Sequence, residues 1–237
     1  MKGVVIAGGL GTRLYPLTFA TNKHLLPVYD RPMIFYPIQT LVKAGIKEIM
    51  VVTGGPHAGH FISVLKNGKD LGVKHLEFAY QDSESGIAHA LRLCEDFADK
   101  KSIAVILGDN TTDADISREV KSFKDGAMIF LKKVPDPQRY GVPVFDKRRQ
   151  IVTIEEKPKN PKSEFAVTGL YFYDDRVFDY IRSIKQSARG ELEITDLNNC
   201  YIKDGKMNWA NLEGFWSDAG TFKSLFLTNQ HWAKQAK

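Results

Sequence analysis

Four short apolar runs in the first half of the chain, each followed by a helix-like stretch, restrict the fold more than any other feature. They cover residues 4–7, 48–53, 76–80 and Ile103–Leu107. Runs that are apolar throughout, rather than alternating, suit strands covered on both faces, as in a parallel sheet. Between the first two, Ile34, Ile38, Leu41 and Val42 share one helical face, and Gly45 stands where that helix would end. Pro37 fits such a helix only in its first turn, where backbone N–H groups lack partners. Residues 59–66, 87–97 and 116–123 read as three further helices. The order β-α-β-α-β-α-β predicts a doubly wound α/β sheet with right-handed crossovers.

The second half is more mixed. Residues 128–134, 142–145, 151–155 and 166–173 read as strands, residues 176–184 and Ile194–Lys203 as helices. A strand near 206–212 and a last helix from Thr221 complete the chain. The expectation is one α/β domain over residues 1–237, built on a mixed, mostly parallel sheet. In such sheets ligands bind outside the carboxyl ends of the strands, so motifs at those ends carry functional weight.

The formal net charge of +5 invites three partner classes: nucleic acid, an acidic membrane, or small anions. Lys and Arg are spread along the chain, and no recognition helix, zinc finger or RNP motif is present, which disfavours nucleic acid. No run approaches the roughly 18 apolar residues of a membrane span, and the N-terminus lacks a signal-peptide core. Cys94 and Cys200 stand alone, without metal or redox spacing. Small polyphosphates remain, with a cytoplasmic location as the expectation.

Ala7-Gly8-Gly9-Leu10-Gly11-Thr12-Arg13-Leu14 follows the first run. Glycines there let backbone N–H groups close on phosphate oxygens. The segment is not a P-loop, and Leu14 occupies the place of the third glycine of a dinucleotide loop. A tight turn without ligand explains it equally well. Arg13 adds a planar cationic fork, and Lys23, in Asn22-Lys23-His24-Leu25-Leu26-Pro27, a second cation. Gly108-Asp109-Asn110 closes the fourth run; Asp109 could ligate Mg²⁺ through oxygen or simply cap a turn. Read alone, Asp218 is an N-cap for the final helix. Glu155-Glu156-Lys157-Pro158 reads as an ion pair at a strand exit, and Gln81 as an exposed polar residue. His57 and His60 form an H-x-x-H without a third ligand nearby.

Gly8 to Thr18 together with Lys23-His24-Leu25-Leu26-Pro27-Val28 and Val28 to Pro37 resembles the nucleoside-diphosphate-sugar pyrophosphorylases, most closely their thymidylyltransferase branch. The resemblance runs through nearly the whole chain. It implies a Rossmann-like nucleotidyltransferase fold, with a nucleotide-binding part over about 1–125 and a sugar-binding part over about 126–237. Its implied reaction joins a sugar 1-phosphate, such as glucose 1-phosphate, to dTTP or UTP, with Mg²⁺ as cofactor and release of pyrophosphate. The implied catalytic set is Arg13, Lys23, Asp109, Lys157 and Asp218, with Asp109 and Asp218 on the metal. Ile6, Gly8, Gly9, Gly11, Thr12, Gln81 and Gly86 would hold the nucleotide. Asn110, Gly141, Glu156, Lys157, Val167, Tyr171 and Arg189 would hold the sugar, although Arg189 could instead serve the adjacent helix.

The chain departs from the branch's usual wording in places. Asp82-Ser83-Glu84-Ser85 lacks a proline, His24 and His89 replace glutamine, and Ser217 and Ala219 replace Leu and Thr. These departures bear on nucleotide preference and regulation more than on chemistry. Longer members continue with helical segments linked to assembly and feedback, which are not carried over here; a small homo-oligomer is the remaining expectation. A catalytically silent sugar-nucleotide sensor is the rival from another class, and the intact charged set argues against it.

Overall fold

The structure is a computed structural model that describes residues 1–83 and 85–235. Glu84, part of the proline-lacking segment, lies outside the described residues. Seven strands form the main sheet: β1 (Lys2–Ala7), β2 (Glu48–Gly54), β3 (His75–Gln81), β4 (Ile103–Leu107), β5 (Ala127–Lys133), β6 (Phe165–Tyr173) and β7 (Met207–Asn211). Their spatial order is β7-β5-β6-β4-β1-β2-β3. Within this sheet β6 alone runs against its neighbours, antiparallel to β4 and β5, while every other pair is parallel. The sheet is therefore mixed and mostly parallel, as the sequence predicts.

Both faces of the central strands are dry. Val4 and Ile6 pack with Met50, Val52, Val105 and Tyr173 on one side; Val5 and Ala7 pack with Val51, Ile106 and Phe172 on the other. Adjacent residues of a strand point to opposite faces, so burying both requires apolar residues at successive positions. Each fully buried Val or Ile contributes about 1.5–3 kcal/mol relative to exposure. That is the physical reason the four runs are legible as inner strands.

The helix Phe35–Lys43 holds Pro37 in its first turn, and Gly45 follows its end at φ 89°. The stretch read as one helix over 87–97 is two, Ile87–Arg92 and Glu95–Ala98. Cys94 sits between them at φ −97°, ψ 4°, and its N–H donates to the Leu91 carbonyl, a tightened i→i−3 bond. The buried face is unchanged by the break: Leu91, Cys94, Phe97 and Ala98 all remain in the core.

From β1 the chain builds outward through β2 to β3, then returns to the other side of β1 as β4. A crevice opens where strand order reverses, at the carboxyl ends of β1 and β4. The glycine loop leaves one of these ends and Gly108-Asp109-Asn110 the other. Two short ladders wall the crevice. Gly141–Phe145 pairs with Ile151–Glu156, and Asn110–Thr112 pairs with Trp216–Asp218. The final helix, Phe222–Gln235, brings Leu225 and Trp232 against Leu14, Leu26, Val28, Met33 and Tyr36.

Candidate active site

The crevice is a cleft of about 500 Å³, and Arg13, Lys23, Asp109, Lys157 and Asp218 all line it. Beside the end nearest the glycine loop, Gly11 takes φ 73°, a left-handed conformation that favours glycine. A Cβ there would lie 2.8 Å from Lys23 Cβ, so the turn and the lysine segment are packed as one unit. Thr18 Oγ1 donates to the Gly11 carbonyl at 2.9 Å and closes it. Lys23 Nζ reaches across to Asp109 Oδ2 at 2.5 Å, and both side chains are nearly buried.

The two aspartates meet for a definable reason. Asp218 is the direct ladder partner of Asn110, and the Ala219 N–H donates to the Asp109 carbonyl at 2.9 Å. The short strand Trp216–Asp218 is thereby locked beside the end of β4. Burial alone would raise the Asp109 carboxyl, but the Lys23 ammonium and hydrogen bonds from Lys23 and Asn110 outweigh it. The group is held well below the usual carboxylate range. Asp218 is pushed upward by burial and by the negative charge of Asp109, against opposing pulls from Arg139, Tyr140 and Arg13. Tyr140 OH donates to Asp218 Oδ1 at 3.1 Å, and Arg139 Nη2 stands 3.6 Å from Oδ2. His24, fully buried, is lowered to about 3 by burial and by Lys23, and its Nδ1 lies 2.7 Å from Asn22 Oδ1.

This donor set suits a hard divalent cation: two carboxylates, all oxygen, with one of them already facing an ammonium. No group of three or more His, Cys, Asp or Glu that could hold a metal exists among the described residues. A metal here would need oxygens from a phosphate ligand to complete its shell. His57 and His60 stack at 5.3 Å, at the surface and away from this pair.

Asp218 does not cap the final helix. Thr221 does: its Oγ1 accepts from Ser224 N at 3.2 Å, while the Thr221 N–H donates to Ser224 Oγ at 3.1 Å. This reciprocal capping box leaves the Asp218 carboxylate out of the helix cap and in the cleft wall, beside Tyr140 and Arg139.

The opposite end of the cleft is lined by hydroxyl-bonding groups. Val167, Gly169 and Tyr171 share one face of β6. Asn110 is fixed beside them, its Oδ1 accepting from Gly169 N at 3.0 Å and from Trp216 Nε1 at 2.7 Å. A Cβ on Gly169 would sit 2.7 Å from that amide, so glycine is required there. Glu156 Oε2 accepts from Thr195 Oγ1 at 2.6 Å, and Lys157 Nζ stands 3.3 Å from Glu156 Oε1. Lys157 takes φ 44°, and its N–H is anchored to the Tyr140 carbonyl at 3.0 Å. Gly141 is also in the wall, against Ile154 and Thr195.

A smaller pocket of about 230 Å³ adjoins the cleft and is lined by Ile6, Gly8, Gly9, Gln81, Gly86, Ile87 and Glu191. Gln81 is buried, not exposed, and its Nε2 donates to the Gly86 carbonyl at 3.3 Å. A Cβ on Gly8 would lie 2.5 Å from Gln81 Oε1, so the loop is cut to fit the amide. Gly86, at φ 97°, packs its backbone on Leu192.

Three residues singled out in the sequence stand apart from both pockets. Gly11 and Thr12 shape the turn without lining either cavity. Arg189 spends its guanidinium on Glu193 Oε1, at 2.9 Å from Nη2, and stands 3.5 Å from Glu156. Conversely, Thr195, at the end of the family-like segment that begins at Arg189, lines the cleft, as do Arg139 and Asn198, which carry no motif that would have singled them out.

A family profile described as nucleotidyl transferase matches residues 2–235, and the chain belongs to that family. It is 45% identical over 231 residues to a glucose-1-phosphate thymidylyltransferase of Neisseria gonorrhoeae, covering 95% of this chain and 80% of that one. It is 43% identical over 230 residues to the Mycobacterium tuberculosis (strain H37Rv) enzyme of the same name, with the same shares covered. A crystal structure of a Bacillus anthracis protein assigned as a glucose-1-phosphate thymidylyltransferase, in complex with sucrose, superposes with a TM-score of 0.92 at 49% identity, covering 98% of this chain and 94% of that one. A UDP-glucose pyrophosphorylase complexed with UDP-glucose shares the fold, with a TM-score of 0.87 at 22% identity over 99% and 98% of the two chains. No helix among the described residues is long and apolar enough to cross a membrane.

Proposed function

We propose that this nucleotidyltransferase moves a thymidylyl group from dTTP to glucose 1-phosphate and releases pyrophosphate. The observation that carries the reading is the convergence of Asp109 and Asp218 with Lys23 and Arg13 in one cleft, which adjoins a smaller pocket lined by Gln81 and Gly86. The identity to named thymidylyltransferases over 95% of the chain supports the choice of substrates.

The nucleophile, a phosphate oxygen of the sugar 1-phosphate, is already an anion, so no protein base is required. The obstacle is charge. Two unit charges about 4 Å apart repel by roughly 4 kcal/mol at an effective dielectric of 20, and several such pairs meet when two phosphate substrates approach. Arg13 and Lys23 offset the charge of the triphosphate and of the leaving pyrophosphate. Lys157 holds the attacking phosphate, with Glu156 fixing sugar hydroxyls beside it. Gln81 reads the carbonyl and N3–H edge of a pyrimidine while Ile6, Gly8, Gly9 and Gly86 bring backbone close to the nucleotide. Asp109 and Asp218 would hold Mg²⁺, which supplies electrostatic stabilisation of the transferring phosphoryl group. Positioning and charge then account for the rate enhancement, as in other phosphoryl-type transfers.

Pyrophosphate release over a grid of triphosphates and sugar 1-phosphates tests the reading. The highest kcat/KM is expected for dTTP with glucose 1-phosphate. A higher value with UTP would overturn the thymidylyl assignment while keeping the chemistry. No release for any pair would favour the sensor.

A further inference from the structure

The floor of the cleft contains a polar group that the reaction above leaves unused. Along β6, positions 167, 169, 171 and 173 share a face that descends from the cleft mouth into the core. Tyr173 is fully buried at the bottom of this row, and Asn198 lies against it with 1% of its surface exposed. Asn198 comes from the helix Ile194–Lys203, one turn after Thr195, so both side chains face the cleft.

The amide of Asn198 is oriented. Tyr173 OH donates to its Oδ1 at 2.6 Å, which turns Nδ2 the other way. No described residue accepts from Nδ2, yet this nitrogen is not among the sealed, partnerless atoms of the core. Asn198 lines the cleft, and Nδ2 is its side-chain donor left without a partner among the described residues. Thr195 is different, because its hydroxyl is already spent on Glu156. Beside Asn198, the Tyr171 hydroxyl likewise has no partner among the described residues, and Glu156 and Asp109 both raise its pKa in addition to burial. The Tyr171 ring stacks on Tyr173 at 6.0 Å and 12°, which ties the two free groups to one support.

We propose that Asn198 Nδ2 donates a hydrogen bond to one ring hydroxyl of the sugar 1-phosphate and makes that hydroxyl a requirement for turnover. The inference rests on the sugar 1-phosphate reading and adds a specificity residue to it. A buried donor left without an acceptor is costly, so a sugar lacking an oxygen at that position is rejected by loss of pairing rather than by size.

The test is a panel of monodeoxy glucose 1-phosphates with dTTP, run on the wild type, Asn198→Ala and Asn198→Asp. In the wild type one deoxy position should cost at least about tenfold in kcat/KM. Asn198→Ala should lower kcat/KM for the parent sugar and close the gap at that one position to within about twofold, leaving the other positions and the KM for dTTP as they were. Asn198→Asp keeps an acceptor for Tyr173 and, when ionised, removes the donor, so it should lower the thermal midpoint through burial of its charge and lose the same discrimination at a pH above its raised pKa. Equal losses on every sugar, or a wild-type gap that survives both substitutions, would overturn the Asn198 assignment alone. Absence of wild-type turnover on glucose 1-phosphate with any triphosphate would overturn both it and the parent reading.

Discussion

The two ends of the cleft are built on different principles. At the phosphate end the groups arrive already paired: Lys23 with Asp109, Arg139 and Tyr140 with Asp218, all held by backbone turns and the Asn110–Asp218 ladder. At the other end the groups come from β6, the ladder of Gly141–Phe145 with Ile151–Glu156 and the helix Ile194–Lys203, and two groups, Asn198 Nδ2 and the Tyr171 hydroxyl, have no partner among the described residues. On the proposed function, the prepaired charged end would act on any phosphate substrate, whereas the end with open donors would select among sugars. The difference teaches where to look for rate and where to look for specificity.

The sharpest way to break this comparison is at Asp109. Asp109→Asn removes a charge from the carboxylate pair and from Lys23 without changing volume. We expect kcat to fall about a hundredfold, near 2.7 kcal/mol, for every sugar alike. Full activity over a Mg²⁺ titration would remove Asp109 from the metal site. Lys157→Ala comes next. Its ammonium is half-exposed beside Glu156, so the KM for sugar 1-phosphate should rise about tenfold, worth ~1.4 kcal/mol, with the KM for dTTP unchanged. Equal rises in both would mean that the two ends are not separable.

How legible these ends were differs too. The four inner strands could be read because burial on both faces forbids polar residues at successive positions, as Val4, Val5, Ile6 and Ala7 show. The glycine loop and Asp109 could be read because they exit those strands. Asp218 could not be placed by local pattern, which favours it as a helix cap; its position follows from a ladder with Asn110, a hundred residues away in the chain. Arg139 and Asn198 escaped for the same reason. Each sits on an element of ordinary composition, and its orientation is decided by a distant partner, Asp218 or Tyr173.

A smaller effect is expected at the support of the sugar end. Asp174 accepts from the Gly126 N–H at 2.7 Å, from Tyr201 OH at 2.9 Å and from Arg176, and Tyr201 stacks on Tyr173. Burial would raise its carboxyl, but these bonds win and hold it below the usual value. Its stabilising contribution is present above the ordinary carboxylate pKa of about 4 and fades as pH falls through the lowered folded value. Asp174→Asn should cost about 2 kcal/mol at pH 7 in chemical denaturation. The gap between variant and wild type should narrow steadily below about pH 4; a gap independent of pH would mean that packing, not charge, does the work.

The smallest effect tests whether the phosphate end depends on the final helix. Thr221→Ala removes the hydroxyl that accepts from Ser224 N, and a lost N-cap costs about 1 kcal/mol, or roughly 2–4 °C in Tm for a chain of this size. Asp218 lies three residues upstream, but it is held independently by the ladder with Asn110 and by the Ala219 N–H on the Asp109 carbonyl. Melting temperature should therefore fall while kcat changes by less than about twofold, a difference below roughly 0.4 kcal/mol. If kcat fell in step with stability, the carboxylate pair would owe its geometry to the helix cap rather than to the ladder. The prepaired end would then be as dependent on distant support as the sugar end.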